Sequence, residues 1–351
     1  MVKREGNITI REVARAAGVS IGTASRVLNG KQSVRPEIRA RVQQAIEELG
    51  YRPNAVAQSM RRRSTHMVGC IIREINIPSL AAFVRAAHDV LDKAGFSFLI
   101  SNSEGRIDRE RELLDRLSRQ QTDGIMLGPY TPIDDTFDTF LRSLDTPIVL
   151  VDRDEPKWAD CVMADHAGAT FEATSRLLDL GHRRIVLLTG EPVLYPARAR
   201  LKGYLDAFAA RGLKPEERLV RAQSFFATES LRQTSSLLAG DDPPTAIIAG
   251  GIDMLAGVLK AIRVRGLKVP DDISVVAAGD SELAELYAPA ISVERWDQAE
   301  IGRTAAELLI NRMVRRTSDP PQHVLLPAEF IQRGSIAPPR ANRTRSRTGE
   351  A

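Results

Sequence analysis

Thr9-Ile10-Arg11-Glu12-Val13-Ala14-Arg15-Ala16-Ala17-Gly18-Val19-Ser20-Ile21-Gly22-Thr23-Ala24-Ser25-Arg26-Val27-Leu28-Asn29-Gly30 is the stretch on which the reading of this 351-residue chain turns. Thr9 and Glu12 have capping-box spacing, each able to satisfy the other's free backbone N–H at a helix start. Ile10, Val13, Ala14 and Ala17 then fall on one face of that helix. Gly18 permits a sharp turn, and Ser20 can cap a second helix running to about Leu28. Pro36 suits a first helical position; Ile38, Val42, Ala45, Ile46 and Leu49 form the stripe of a third helix, and Gly50 stops it. Two short helices joined at Ala17-Gly18-Val19 have the pattern of a helix-turn-helix, whose second helix enters the major groove of DNA. By itself that pattern is moderately specific, since many small helical domains contain one.

Charge points the same way. Residues 1–63 hold 13 Lys and Arg against five Glu, a net +8, within a chain whose total is +4, so the remainder sums to −4. A basic head on a mildly acidic body suggests that the head meets a polyanion and the body does not, although charge alone also fits a solvated face. No run of about 18 apolar residues suggests a membrane span. The start, Met1-Val2-Lys3-Arg4, has no apolar segment behind it of the kind that directs export. The expectation is a cytoplasmic protein with no membrane partner. Cys70 and Cys161 both sit in apolar runs and read as reduced core residues; no metal site, cofactor or catalytic constellation is expected.

Residues 50–66 change character, with Gly50-Tyr51-Arg52-Pro53-Asn54, a short helix-like run and Arg61-Arg62-Arg63. From Met67 onward short apolar runs alternate with amphipathic stretches. The pattern predicts strands at 67–72, 96–101, 124–127, 147–151, 161–164, 184–189, 245–249 and 273–278. Helical patterns lie between most of them, for example at 80–94, 106–121, 170–180, 198–211 and 253–265. Such alternation implies doubly wound parallel sheets, and these strands are too many for one compact sheet, so two α/β lobes are expected. The domain reading is a helix-turn-helix head at 1–53, a hinge helix and linker at 54–65, a two-lobed effector-binding and dimerisation body at 66–337, and a disordered tail at 338–351.

The head, together with Val34, Arg39, Val42, Ala45 and Leu49-Gly50-Tyr51, then Pro53-Asn54-Ala55 and Ala57, resembles the DNA-binding head of the LacI family of lactose- and galactose-repressor-like regulators. The resemblance implies that Ile21 and Gly22 open the recognition helix. Arg26 lies on the same face, with the reach for a bidentate contact to guanine, and Thr23 and Ser25 suit phosphates. Gly22 brings no side chain, which leaves more of the readout to Ile21 and Arg26. In the hinge, Asn54 is a good N-cap for a helix too short to stand alone in water. The resemblance places Met60 where an apolar wedge, usually leucine, enters the minor groove, with Arg61 near the phosphates.

It continues through 67–336 in a body like a periplasmic sugar-binding protein, on Asp123-Gly124-Ile125-Met126-Leu127, Val151-Asp152-Arg153, Leu180-Gly181-His182-Arg183-Arg184-Ile185 and Val269-Pro270-Asp271-Asp272-Ile273. Ligands of such sheets bind beyond the carboxyl ends of strands. The positions matching family contacts are Arg73, Asp165, Arg200, Asp253 and Trp296. Arg200 would grip a hydroxyl or carboxylate, Asp165 would accept from hydroxyls, and Trp296 would stack on a sugar. The chain departs from the family at Pro78-Ser79-Leu80, at Ile252 and at Gly279. The expected function is a ligand-responsive, sequence-specific transcription regulator of the repressor kind, sensing a sugar or sugar acid. Its partners would be a pseudo-palindromic DNA operator, a small-molecule effector and a second copy of the chain. Two other classes fit the sequence less well. A GDS-type esterase would use Gly279-Asp280-Ser281, but Asp319 and His323 are one residue too far apart for its second motif. A purely architectural DNA-binding protein would not need so large a two-lobed body.

Overall fold

The protein, seen in a computed structural model, is described over residues 8–28, 33–51, 64–77, 80–130, 132–315 and 319–340. It divides into two compact units, Met1–Thr65 and His66–Ala351.

In the first unit three helices, α1 (Ile10–Ala16), α2 (Ile21–Leu28) and α3 (Pro36–Leu49), enclose one small core. That core holds Val13, Ala14, Ala17, Ala24, Val27, Val34, Val42 and Ala45. The expected ends are present. The Glu12 carboxylate accepts from Thr9 N at 2.6 Å, which holds its pKa below the ordinary value. Thr23 N donates to Ser20 Oγ at 3.1 Å, Pro36 opens α3, and Gly50 closes it in the left-handed region. Gly18 turns between α1 and α2 with φ of 61°, and a Cβ there would lie 2.7 Å from Arg41 Nη2, whose guanidinium caps the Ala17 carbonyl.

The second unit is two six-stranded sheets. Sheet one holds β1 (Met67–Ile72), β2 (Ser97–Asn102), β3 (Gly124–Leu127), β4 (Ile148–Val151), β5 (Asp160–Ala164) and β11 (His323–Leu326), in the order β11-β5-β4-β3-β1-β2. Its strand pairs are all parallel. Sheet two holds β6 (Ile185–Thr189), β7 (Val220–Ala222), β8 (Ala246–Ala249), β9 (Ser274–Ala278), β10 (Ser292–Trp296) and β12 (Ala328–Ile331), in the order β12-β10-β9-β8-β6-β7. Only β12 in this sheet runs antiparallel, to β10.

Helices cover both faces of each sheet, so successive strand residues bury on opposite sides. In β1, Val68, Cys70 and Ile72 face α4 (Leu80–Lys93) and α12 (Gln298–Arg315). Ile71 faces α5 (Ile107–Arg119) and α6 (Asp135–Ser143). In β6, Val186 and Leu188 face α9 (Ala227–Ala239) and α10 (Met254–Val264). Ile185 and Leu187 face α7 (His166–Asp179) and α8 (Tyr195–Ala209). The last two helices pack so closely that a Cβ on Gly203 would lie 2.1 Å from the Ala167 carbonyl oxygen. A short helix, α11 (Glu282–Leu286), precedes β10.

The chain passes between the lobes through single residues. Asp165 separates β5 from α7, Asp297 separates β10 from α12, and Pro327 separates β11 from β12. Both aspartates cap the helix that follows: Asp165 Oδ1 accepts from Gly168 N at 2.9 Å and Asp297 Oδ1 from Glu300 N at 3.0 Å.

The predicted strands all form, within one residue at either end. The helices predicted from 170 and 198 begin earlier, at His166 and Tyr195, because Asp165 caps the first and Pro196 is accommodated in the first turn of the second. The cysteines are buried and free, with both thiols pushed up by burial to about 12, so neither is a thiolate. His182 is buried in a structural role: its Nδ1 lies 2.8 Å from Thr245 Oγ1 and its Nε2 2.9 Å from the Ala337 carbonyl. The chain remains described past the expected tail boundary at 338, as far as Arg340, which pairs with Asp272 at 2.7 Å. Asn54, Met60 and Arg61 lie outside the described residues.

Candidate functional site

Two sites emerge, one in each unit. On the head, Ala24 and Val27 turn the inner face of α2 into the core. The outer face keeps Ile21, Gly22 and Arg26 exposed and Thr23 and Ser25 half-buried. Arg26 lies back over Gly22, its Nη2 3.8 Å from where a Cβ on Gly22 would stand. The glycine therefore leaves the arginine room to move. An exposed guanidinium on a helix anchored through its other face is suited to a base edge in a groove.

In the body a cavity of about 170 Å³ opens between the lobes, at the ends of strands from both sheets. Arg73, Arg200 and Trp296 of the five expected effector residues line it; Asp165 and Asp253 do not. Asp165 stands at the crossover, where its carboxylate satisfies a free N–H of α7. Asp253 Oδ2 accepts from Ala227 N at 3.3 Å at the start of α9; burial lowers the Arg73 pKa, and the nearby Asp253 charge opposes that shift. A carboxylate following a strand has two competing uses, capping the next helix or meeting a ligand, and both residues take up backbone N–H groups.

The floor of the cavity is a buried polar chain. Asp152 directly follows β4, in the left-handed region with φ of 54°. Both its carboxylate oxygens lie 3.0 Å from His166 Nε2, and Oδ1 also accepts from Ala164 N at 3.2 Å. His166 Nδ1 is 2.9 Å from Arg200 Nη2, and Arg200 Nε is 3.4 Å from Glu294 Oε2. Guanidinium can only donate, so Nδ1 must carry the lone pair and the imidazole proton resides on Nε2, facing Asp152. Burial, reinforced by the Arg200 charge, lowers the His166 pKa and keeps the ring neutral. Burial would raise the Asp152 pKa, but His166 and Arg200 together bring it below the ordinary value. Burial raises that of Glu294. Trp296 packs edge-on to His166 at 4.8 Å, with the Arg200 guanidinium 5.5 Å from its centroid. The residue after β4 and residues from α7, α8 and β10 thus meet at the crossovers.

At the cavity mouth, Phe226 from the second lobe meets the first. The Arg73 guanidinium lies 5.0 Å from its ring centroid, and Tyr130 is 6.1 Å from it. Arg153 beside Asp152 donates to the Asp152 and Pro129 carbonyls, and burial brings its pKa down to about 10. Asp152, Arg153, His166 and Glu294 were not foreseen as site residues. Among the described residues no group of acidic, His and Cys side chains could hold a metal ion, and no helix is long and apolar enough to cross a membrane.

Comparison with known proteins gives both units a context. Residues 9–54 match the model for "Bacterial regulatory proteins, lacI family", and residues 174–336 that for "Periplasmic binding protein-like domain". Catabolite control protein A of Priestia megaterium is 31% identical over 316 residues, covering 89% of this chain and 95% of its own. The structure of the Lac repressor dimer bound to operator and the anti-inducer ONPF superposes with a TM-score of 0.80 at 26% identity, covering 94% of this chain and 99% of that one. The transcriptional regulator CelR–cellobiose complex gives a TM-score of 0.69 at 30% identity, covering 93% and 99%.

Proposed function

Since the chain belongs to the LacI family of bacterial regulatory proteins, we propose that it represses transcription as a cytoplasmic homodimer, binding a pseudo-palindromic operator under the control of a small metabolite in the interlobe cavity. The observation that carries this reading is the pairing of an exposed Ile21, Gly22 and Arg26 face on α2 with a cavity floored by side chains from both lobes. The dimer bound to operator and the cellobiose complex among the similar structures support the same assignment. In this reading Arg26 and Ile21 meet base edges, and Thr23 and Ser25 hold phosphates. Asn54, Met60 and Arg61 form the hinge that enters the minor groove. Arg73, Arg200 and Trp296 contact the effector, while Asp165 and Asp253 shape the cavity from behind. The same reading makes the protein a regulator and not an enzyme, which is supported by a cavity histidine that is neutral and engaged at both nitrogens and by a cysteine that is a buried thiol.

An effector that favours one lobe arrangement changes DNA affinity by its differential binding, typically about 1–3 kcal/mol or roughly 5- to 150-fold. The test is to select DNA from a random pool with the full chain, then map protection on the selected sites. Two protected half-sites related by a dyad, bound by a dimer, are expected. A single asymmetric footprint bound by a monomer would refute the reading.

A further inference from the structure

On the reading of the interlobe cavity as the effector site, we infer that the effector is a small organic anion with an apolar body about one ring in size. A neutral, polyhydroxylated sugar fits the lining less well. Three observations carry this.

The first is the polarity of what is left unsatisfied. Among described residues that line the cavity, the buried side-chain polar atoms without a hydrogen-bond partner are Arg73 Nη1, Arg153 Nε and Trp296 Nε1. All three are N–H donors, and none of these groups can accept. Buried donors without acceptors are costly, so the complementary ligand brings acceptors. A carboxylate or phosphate brings two or more on one centre, matched in shape to a guanidinium fork.

The second is that the carboxylates around the cavity are largely engaged; the open oxygen of the floor, Glu294 Oε1, belongs to a side chain outside the lining that is already paired with Arg200. Asp152 receives His166 Nε2 on both oxygens and Ala164 N on one. Asp253 receives Ala227 N, and Glu110 receives Tyr130 N at 2.8 Å. Sugar hydroxyls donate as well as accept, and a site for them needs free carboxylate or carbonyl oxygens to receive those protons. Gln298 is the side-chain amide on the lining.

The third is the body of the cavity. Ile72, Leu80, Phe83, Met126, Phe225 and Ile252 contribute to an apolar wall. The volume of about 170 Å³ is close to the roughly 150 Å³ of an apolar cavity that accepts one benzene ring. An aromatic or compact aliphatic acid satisfies volume, wall and donors together.

The test uses the full chain and calorimetry with benzoate and phenyl phosphate as anionic probes, benzamide as the neutral isostere, and D-glucose as the sugar. At least one anion is expected to bind roughly tenfold to a hundredfold more tightly than benzamide, the range a charge-assisted hydrogen bond spans. Tighter binding of benzoate assigns a carboxylate, and of phenyl phosphate a phosphate. Arg73→Gln should lose that preference, and Arg73→Lys should keep part of it, with melting curves confirming that both variants fold. Equal binding of benzamide, stronger binding of glucose, silence of both anions at millimolar concentration, or a preference unchanged in Arg73→Gln would overturn the inference. Affinity for the selected DNA separates it from the regulatory reading. A response to glucose with both anions silent leaves an effector-controlled regulator standing and removes only the charge assignment.

Discussion

Removing Arg200 tests whether the chain Asp152–His166–Arg200–Glu294 holds the two lobes together. Arg200 is 2% exposed and Glu294 0%, so neither charge has water to fall back on. Breaking such a pair from one side costs about 3–5 kcal/mol, because the remaining charge stays buried and uncompensated. Arg200→Met keeps the apolar stem against Trp296 and deletes the donors to Glu294 and His166. At roughly 2–4 °C per kcal/mol for a unit of this size, melting should fall by about 6–20 °C. Glu294→Gln in the same background removes the stranded charge, and the double variant should recover a coupling energy of about 2 kcal/mol or more. The pH dependence has a definite sign. Arg200 is the neighbour that draws the Glu294 pKa down against burial. Without it the folded-state pKa rises further above the unfolded value of 4.5. A raised carboxyl contributes stability that is full below its unfolded pKa and lost as pH rises through the folded one. The deficit of Arg200→Met should therefore shrink as pH falls from neutral towards about 5. Calorimetric melting of wild type, both single variants and the double variant completes the cycle. Additive effects, or an Arg200→Met deficit below about 1 kcal/mol, would show that the contact at 3.4 Å couples nothing.

Further outcomes are open to measurement. The His166 pKa is lowered from 6.5 on folding, so stability is full above 6.5 and declines as pH falls below it, by up to about 1.4 kcal/mol per pH unit; His166→Gln should flatten that slope, and an unchanged slope would place the titration elsewhere. Gly203→Ala forces a Cβ against the Ala167 carbonyl and should cost about 1–3 kcal/mol in denaturant titration, whereas a neutral result would show that α7 and α8 can separate freely. Arg26→Ala should cost about 1–3 kcal/mol at the selected operator and far less on random DNA, while equal losses on both would make Arg26 a phosphate contact. Met60→Ala should weaken operator binding and reduce DNA bending measured by fluorescence transfer, with Met60→Leu keeping both; unchanged bending in Met60→Ala would remove the wedge from the mechanism.

Much of the fold was legible because its signals are local. Thr9 with Glu12, Ser20, Pro36 and Gly50 mark helix ends by side-chain chemistry that acts within one turn, and all of them do so in the structure. Strands buried on both faces read as apolar runs, which is how β1, β3, β6 and β9 could be found. The strands not predicted, β7, β10, β11 and β12, give weaker signals: β7 is three residues long, and the apolar run of β11 is only Val324-Leu325-Leu326. In β11 alternate residues are exposed, β10 carries two charges, and β12 is an antiparallel edge strand whose placement depends on β10. Among the helices not named from the sequence, α6, α9, α11 and α12, the last is long, but it follows β10 through a single residue, so without that strand its start had no marker. Two lobes could be inferred from strand number, whereas the three single-residue crossovers are a property of topology that no local window contains.

The site divides along the same line. Arg73 and Trp296 stand at or just beyond strand ends, and Arg200 lies one turn into α8, which are positions where chain order puts a side chain near the crevice. Asp165 directly follows β5 and Asp253 stands just before α10, and no local window shows that their carboxylates take up the backbone N–H groups of Gly168 and Ala227. Glu294 and Arg295 are adjacent charges in one strand, and alternation requires that one face inward without saying which. The structure turns Glu294 in and leaves Arg295 out to pair with Glu329. That choice is set by Arg200, whose buried guanidinium needs an anion beside it. His166 follows from the same requirement, because its neutral imidazole accepts from Arg200 through Nδ1 and passes Nε2–H to Asp152. One buried arginine thus selects the inward residue of β10, the tautomer at the first residue of α7 and the partner of the strained residue that follows β4. These constraints meet where the chain changes lobe, so a ligand that displaces Arg200 acts on the crossovers directly.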